Sequence, residues 1–193
     1  MLTTIAIPVG LAAQDLTEQP SPNLPPGFSA PELAGRYLRG SSHDYGSPSL
    51  GVAYQYESPL APRDSSFGTL YLYQRGEDDR GLTADSLLAL SAAVFKEGLE
   101  TMRRRGDYDE YHVTSEGPDT VTVSQGWKIP GYRVAYTYHR KSVSALSFFY
   151  LYVAGNTLLK VRATTTASRA STTDLPDFAH EVVELSARKA PHT

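Results

Sequence analysis

The sequence contains no cysteine. That excludes a disulfide scaffold, thiol catalysis and cysteine-based zinc sites. It also excludes the cysteine acylation of a bacterial lipoprotein. No stretch is long and apolar enough to span a bilayer, and the apolar opening of residues 1–13 falls well short. Basic residues are not massed: 18 Lys and Arg stand against 21 Asp and Glu, for a net charge of −3. The dense basic run, Arg103-Arg104-Arg105, falls at the end of a predicted helix, where it complements the helix dipole. Nucleic-acid binding calls for a basic patch and is not expected.

Catalytic signatures are missing too. There is no Gly-x-Ser-x-Gly elbow, no phosphate loop and no dinucleotide fingerprint. The histidines, at positions 43, 112, 139, 180 and 192, show no pair at helical zinc spacing. His43-Asp44 reads as a solvated loop. Glu77-Asp78-Asp79 is interrupted by Arg80 and lacks the ligand ladder of a calcium loop. No metal site, cofactor or catalytic residue is nominated.

What is present is tyrosine, 13 residues against one Trp and 6 Phe. Tyrosine suits a partly covered sheet face and a recognition surface. Alternation places Val52, Tyr54 and Tyr56 on one face of a strand, and Leu70 and Leu72 on one face of the next. Thr83 caps a predicted helix whose stripe is Leu88, Ala92, Phe95, Leu99 and Met102, closed by Gly106 at C′. Short strands then carry Tyr111 and Val113, and Val121 and Val123, with Gly117-Pro118-Asp119 between them as a turn. Gly131 to Arg140 alternates again. Leu146 to Val153 is apolar or aromatic except at Ser147, which predicts a central strand covered on both faces. Gly155-Asn156 turns the chain into residues 157–165, where Leu159, Val161 and Ala163 share one face and Lys160 and Arg162 the other. A second helix, with Asp174 as cap, has the stripe Leu175, Phe178, Val182 and Leu185.

The expected architecture is therefore α+β: an antiparallel sheet of six to seven strands with two amphipathic helices, arranged as an α/β/α sandwich. The expected organisation is a secretory-signal remnant at 1–13, a Pro-rich tether at 14–34, one domain at 35–189 and a loose tail at 190–193. The leader and tether together imply export to the periplasm or beyond. A cytoplasmic chain with a buried first strand is the alternative.

The order of elements over residues 50–189, the strand pair Gly131–His139 and Leu146–Val161, and the closing helix resemble the PsbP-like fold. That resemblance implies an exported, non-enzymatic binding or assembly role with a protein partner, and it transfers no functional residue. Two other readings stand beside it. One is a carrier of a small apolar ligand, or a small enzyme, with a pocket between helix and sheet near Tyr136, His139 or His112. The other is an inhibitor or immunity-type protein. The aromatics Tyr71, Tyr73 and Trp127, with His139, are the candidate surface for a ligand or partner.

Overall fold

The computed structural model describes residues 21–58, 66–123, 126–166 and 174–190. The apolar leader at 1–13 and the first part of the tether lie outside them. The elements run β1 (Leu33–Ala34), β2 (Tyr37–Asp44), β3 (Val52–Glu57), β4 (Ser66–Gln74), α1 (Ala84–Arg104), β5 (Glu110–Thr122), β6 (Lys128–Arg140), β7 (Val143–Ala154), β8 (Thr157–Thr166) and α2 (Leu175–Ala187). All strands join one antiparallel sheet in the order β1-β2-β3-β4-β8-β7-β6-β5.

This corrects the expected sandwich of six to seven strands. Eight strands laid flat would span about 34 Å, while a helix is about 10 Å across. Yet α2 contacts β1 at one edge of the sheet and β5 at the other, as well as β4, β7 and β8 between them. The sheet therefore curls around α2 as a half-barrel. On its outer face α1 rests mainly over β5, β6 and β7. A layered sandwich would need a flat sheet evenly covered on both sides, and neither condition holds.

The inner face carries the larger core. Tyr56, Leu70, Leu72, Tyr152, Leu159 and Val161 pack there against Leu175, Phe178 and Val182 of α2. The outer face has two smaller clusters under α1, one around Leu87, Leu88, Phe149 and Leu151 and one around Leu99, Tyr108 and Tyr136. Strand β7 sends Tyr150 and Tyr152 inward and Phe149, Leu151 and Val153 outward, so both faces are covered. It is interior, yet β4 and β8 lie nearer the middle of the sheet.

Three local expectations are corrected. Gly117-Pro118-Asp119 is not a turn. It lies inside β5, where Pro118 faces Tyr132 of β6. Proline has no N–H to give a second neighbour, and β5 is an edge strand, so the position tolerates it. Asp174 makes no side-chain cap to α2. Its carboxylate instead accepts from Tyr37 Oη at 2.9 Å and pairs with Arg36 at 2.9 Å. The described part of the Pro-rich stretch packs: Phe28, Ala30 and Ala34 are buried in the inner core. Tyr56 Oη and Arg39 Nη1 hold it by donating to the carbonyls of Pro31 and Ala30.

The α1 caps follow the sequence. Thr83 Oγ1 accepts from Ser86 N at 3.2 Å, and Gly106 adopts φ +76° just past the helix. Arg103 and Arg104 both pair with Glu100.

Candidate functional site

Strand β8 alternates apolar side chains inward with Leu158, Lys160, Arg162 and Thr164 outward. Antiparallel register sets Tyr71 of β4 and Leu151 of β7 on either side of Lys160. One step along the same face, Thr69 and Phe149 flank Arg162. Two cations two residues apart thus lie side by side on an interior strand. Helix α1 passes beside them and presents Phe95, Gly98, Leu99 and Met102.

Between helix and sheet is a cleft of about 210 Å³, lined by Tyr71, Phe95, Gly98, Leu99, Met102, Tyr136, Phe149, Lys160 and Arg162. A second hollow of about 330 Å³ shares Phe95, Phe149 and Lys160, and continues along α1 past Leu90 and Val94. The space has a sequence cause. Gly98 has no side chain, and a Cβ there would meet nothing within 4 Å. Phe95 stacks on Phe149 at 4.0 Å and closes the floor.

Both cations are mostly buried. Lys160 Nζ lies 4.2 Å from the centre of the Tyr71 ring and 5.8 Å from that of Tyr73. Burial, with help from the Arg162 charge, pulls its pKa below the usual lysine value. Arg162 Nη2 donates to Tyr108 Oη at 2.8 Å, while its buried Nε has no partner. Burial works against the charge of Arg162, but the surrounding tyrosines, Tyr136 first, leave its pKa raised. The Tyr136 hydroxyl is also buried and makes no hydrogen bond of good geometry, with the Ser147 and Tyr108 hydroxyls as its polar neighbours. Its neighbour across the ladder, Ser147, already bonds Ala163 O and Thr164. Burial pushes the Tyr136 pKa up to about 12. The groups here present positive charge and neutral hydroxyls against an apolar wall. That chemistry suits binding.

The four residues singled out from the sequence separate. Tyr71 and Tyr73 lie together on the outer face and flank the Lys160 ammonium. Trp127 packs against the inner core, on the opposite face. His139 lies near the end of β6, where Nδ1 meets Ser144 Oγ at 2.8 Å and Nε2 lies 3.5 Å from Glu110. Lys160, Arg162 and Gly98 were not nominated. The only sequence signal was a pair of cations alternating with apolar residues in a strand bounded by apolar neighbours.

A second polar cluster ties α2 to β5. Asp119 accepts from Tyr152 Oη at 2.7 Å and contacts His180 Nε2 at 2.8 Å. Tyr152 is fully buried, and burial followed by the Asp119 charge drives its pKa far up, so it serves as a donor. Among the described residues no group of three or more His, Asp or Glu side chains is placed to hold a metal ion, and no helix is long and apolar enough to cross a membrane.

No family model matches the chain, and no curated protein matches its sequence. Solved structures of similar shape include the cyanobacterial PsbP of Synechocystis sp. PCC 6803, at 13% identity, covering 78% of this chain and 81% of that one, with a TM-score of 0.48. They also include a Pseudomonas aeruginosa protein of unknown function described as a putative regulator, at 8% identity, covering 74% and 91%, with a TM-score of 0.37. The Ran-binding protein Mog1p of Saccharomyces cerevisiae matches at 14% identity, covering 86% of each chain, with a TM-score of 0.37.

Proposed function

We propose that the chain is a non-catalytic binding domain that takes a small ligand in the cleft between α1 and the outer face of the sheet. One observation carries this reading: Lys160 and Arg162 are held together in an apolar cleft, and among the described residues neither has a carboxylate at ion-pair distance. A buried cation without a counter-charge is costly, and a cleft of this kind, apolar with a few converging polar groups, is the usual form of a ligand site. Export through the apolar leader at 1–13 belongs to the same proposal. N-terminal sequencing of the chain recovered from the cell envelope tests it, and an uncut chain confined to the cytosol refutes it.

The binding reading is tested with Gly98→Phe, which fills the cleft from the helix side. Native mass spectrometry of the purified wild-type chain should show a bound small molecule, or the chain should be stabilised by small amphiphiles, and the variant should lose either effect. A wild-type chain that carries nothing and answers to no amphiphile up to about 1 mM sinks the reading.

A further inference from the structure

We infer that the ligand of this cleft is a small organic monoanion: a carboxylate held by Lys160 and Arg162, on an apolar body lying against Phe95, Leu99 and Phe149. The inference deepens the reading above and rests on it.

Charge is the first argument. Several cations elsewhere meet acids: Lys96 pairs with Glu116, Arg36 with Asp174, Arg188 with Glu184. Those pairs are far more exposed than Lys160 and Arg162, where a partner matters more because water screens less. The two cations also repel each other across one turn of the strand pleat. The Tyr71 ring offsets part of that cost, as an aromatic face does for a desolvated cation. An oxyanion set beside both would offset the rest.

Hydrogen bonding is the second. Arg162 Nε and Tyr136 Oη are both buried, and neither makes a hydrogen bond of good geometry. Buried polar atoms are normally satisfied, and both belong to residues that line the cleft. Both can donate, and a carboxylate accepts from several donors at once.

Size and wall chemistry are the third. An engineered cavity of about 150 Å³ takes benzene, so about 210 Å³ suits a substituted ring or a short acyl chain. The lining of Phe95, Leu99, Met102 and Phe149 offers no donor to a sugar or a polar base.

The experiment is titration calorimetry on the full chain with matched pairs: octanoate against octanamide, and benzoate against benzamide. Either carboxylate should bind at least about tenfold more tightly than its amide. Lys160→Met and Arg162→Met should each cut carboxylate affinity about 10- to 100-fold and leave amide binding unchanged. Lys160→Arg should retain it. Far-UV circular dichroism checks that the variants fold. If amides bind as well as carboxylates, or if Lys160→Met binds octanoate as the wild type does, the anion assignment fails while the cleft stands. If neither class binds, both fall.

Discussion

His180 Nε2 sits 2.8 Å from a carboxylate oxygen of Asp119, across the gap between α2 and the edge strand β5. The same oxygen accepts from Tyr152 Oη. Helix, edge strand and interior strand β7 are thus joined at one atom, and the joint closes the curl of the sheet on its β5 side. A charge-assisted contact between helix and edge adds a directional restraint to the apolar packing of α2.

The joint should make stability depend on pH. The hydrogen bond that His180 gives to Asp119 raises the His180 pKa above its usual value, against a smaller opposing effect of burial. A raised histidine pKa contributes fully below about 6.5, the unfolded value, and the contribution is lost as pH rises through the folded value. For Asp119, burial pushes the pKa up, but the bonds from His180 and Tyr152 prevail and hold it at about 2. That contribution is present above about 3.9 and is lost as pH falls toward the folded value. The unfolding midpoint should therefore gain most from this pair between about pH 4 and 6.5. Asp119→Asn should flatten both limbs of the profile in thermal scans. An unchanged profile would show that the contact contributes nothing in solution.

Two buried tyrosines should respond oppositely to loss of a hydroxyl. Tyr152 donates to Asp119, and Tyr152→Phe removes a charge-assisted bond, at a cost of about 1.5–3 kcal/mol. The Tyr136 hydroxyl makes no hydrogen bond of good geometry, so Tyr136→Phe should be neutral or stabilising, within about 0.5 kcal/mol. Urea unfolding of the unliganded chain measures both. A large loss for Tyr136→Phe would reveal a partner that the structure does not show.

Gly68 faces the ring of Phe178. A Cβ at this position would lie 2.3 Å from Phe178 Cε1. The ring has nowhere to go, since it lies 4.7 Å from Tyr37 and 5.4 Å from Tyr56, centre to centre. Gly68→Ala should cost about 1–3 kcal/mol by overpacking. Phe178→Leu makes room, so the double variant should lose less than the sum of the two singles, with a coupling of about 0.5–3 kcal/mol. Additive losses would mean that the inner core relaxes elsewhere.

Much of this arrangement was legible in the sequence, and the missed parts share a cause. The β6–β7–β8 meander announced itself because its strands alternate cleanly and Gly155-Asn156 makes the turn. The α1 boundaries followed from Thr83 and Gly106, which act locally. The unbroken β5 was hidden because Gly117-Pro118-Asp119 has turn chemistry, and only its position at the sheet edge makes it acceptable. Asp174 reads as a cap in isolation, while Arg36 and Tyr37, more than 130 residues away, claim its carboxylate. Curvature was equally invisible, because apolar stripes say that two helices pack without saying how far a sheet wraps. The cleft follows the same rule. Alternation set Lys160 and Arg162 on one face, but only the path of α1 shows that Gly98 stands beside them.

Gly98 gives the last prediction, and it joins stability to the cleft. Glycine inside a helix costs about 1 kcal/mol relative to alanine, and here a Cβ meets nothing within 4 Å. Gly98→Ala should therefore raise the stability of the unliganded chain by about 0.5–1 kcal/mol. A glycine kept only for packing would give a loss instead, because close neighbours would resist the methyl group. Larger side chains at this point would enter the cleft that Gly98 lines with Arg162 and Phe149 of the sheet. The series Gly98→Ala, Gly98→Leu, Gly98→Phe should keep the fold while binding of octanoate weakens stepwise. Calorimetry and thermal unfolding on the same samples separate the two effects. If stability falls at alanine, the helix lies closer to the sheet in solution and the cleft is narrower than about 210 Å³.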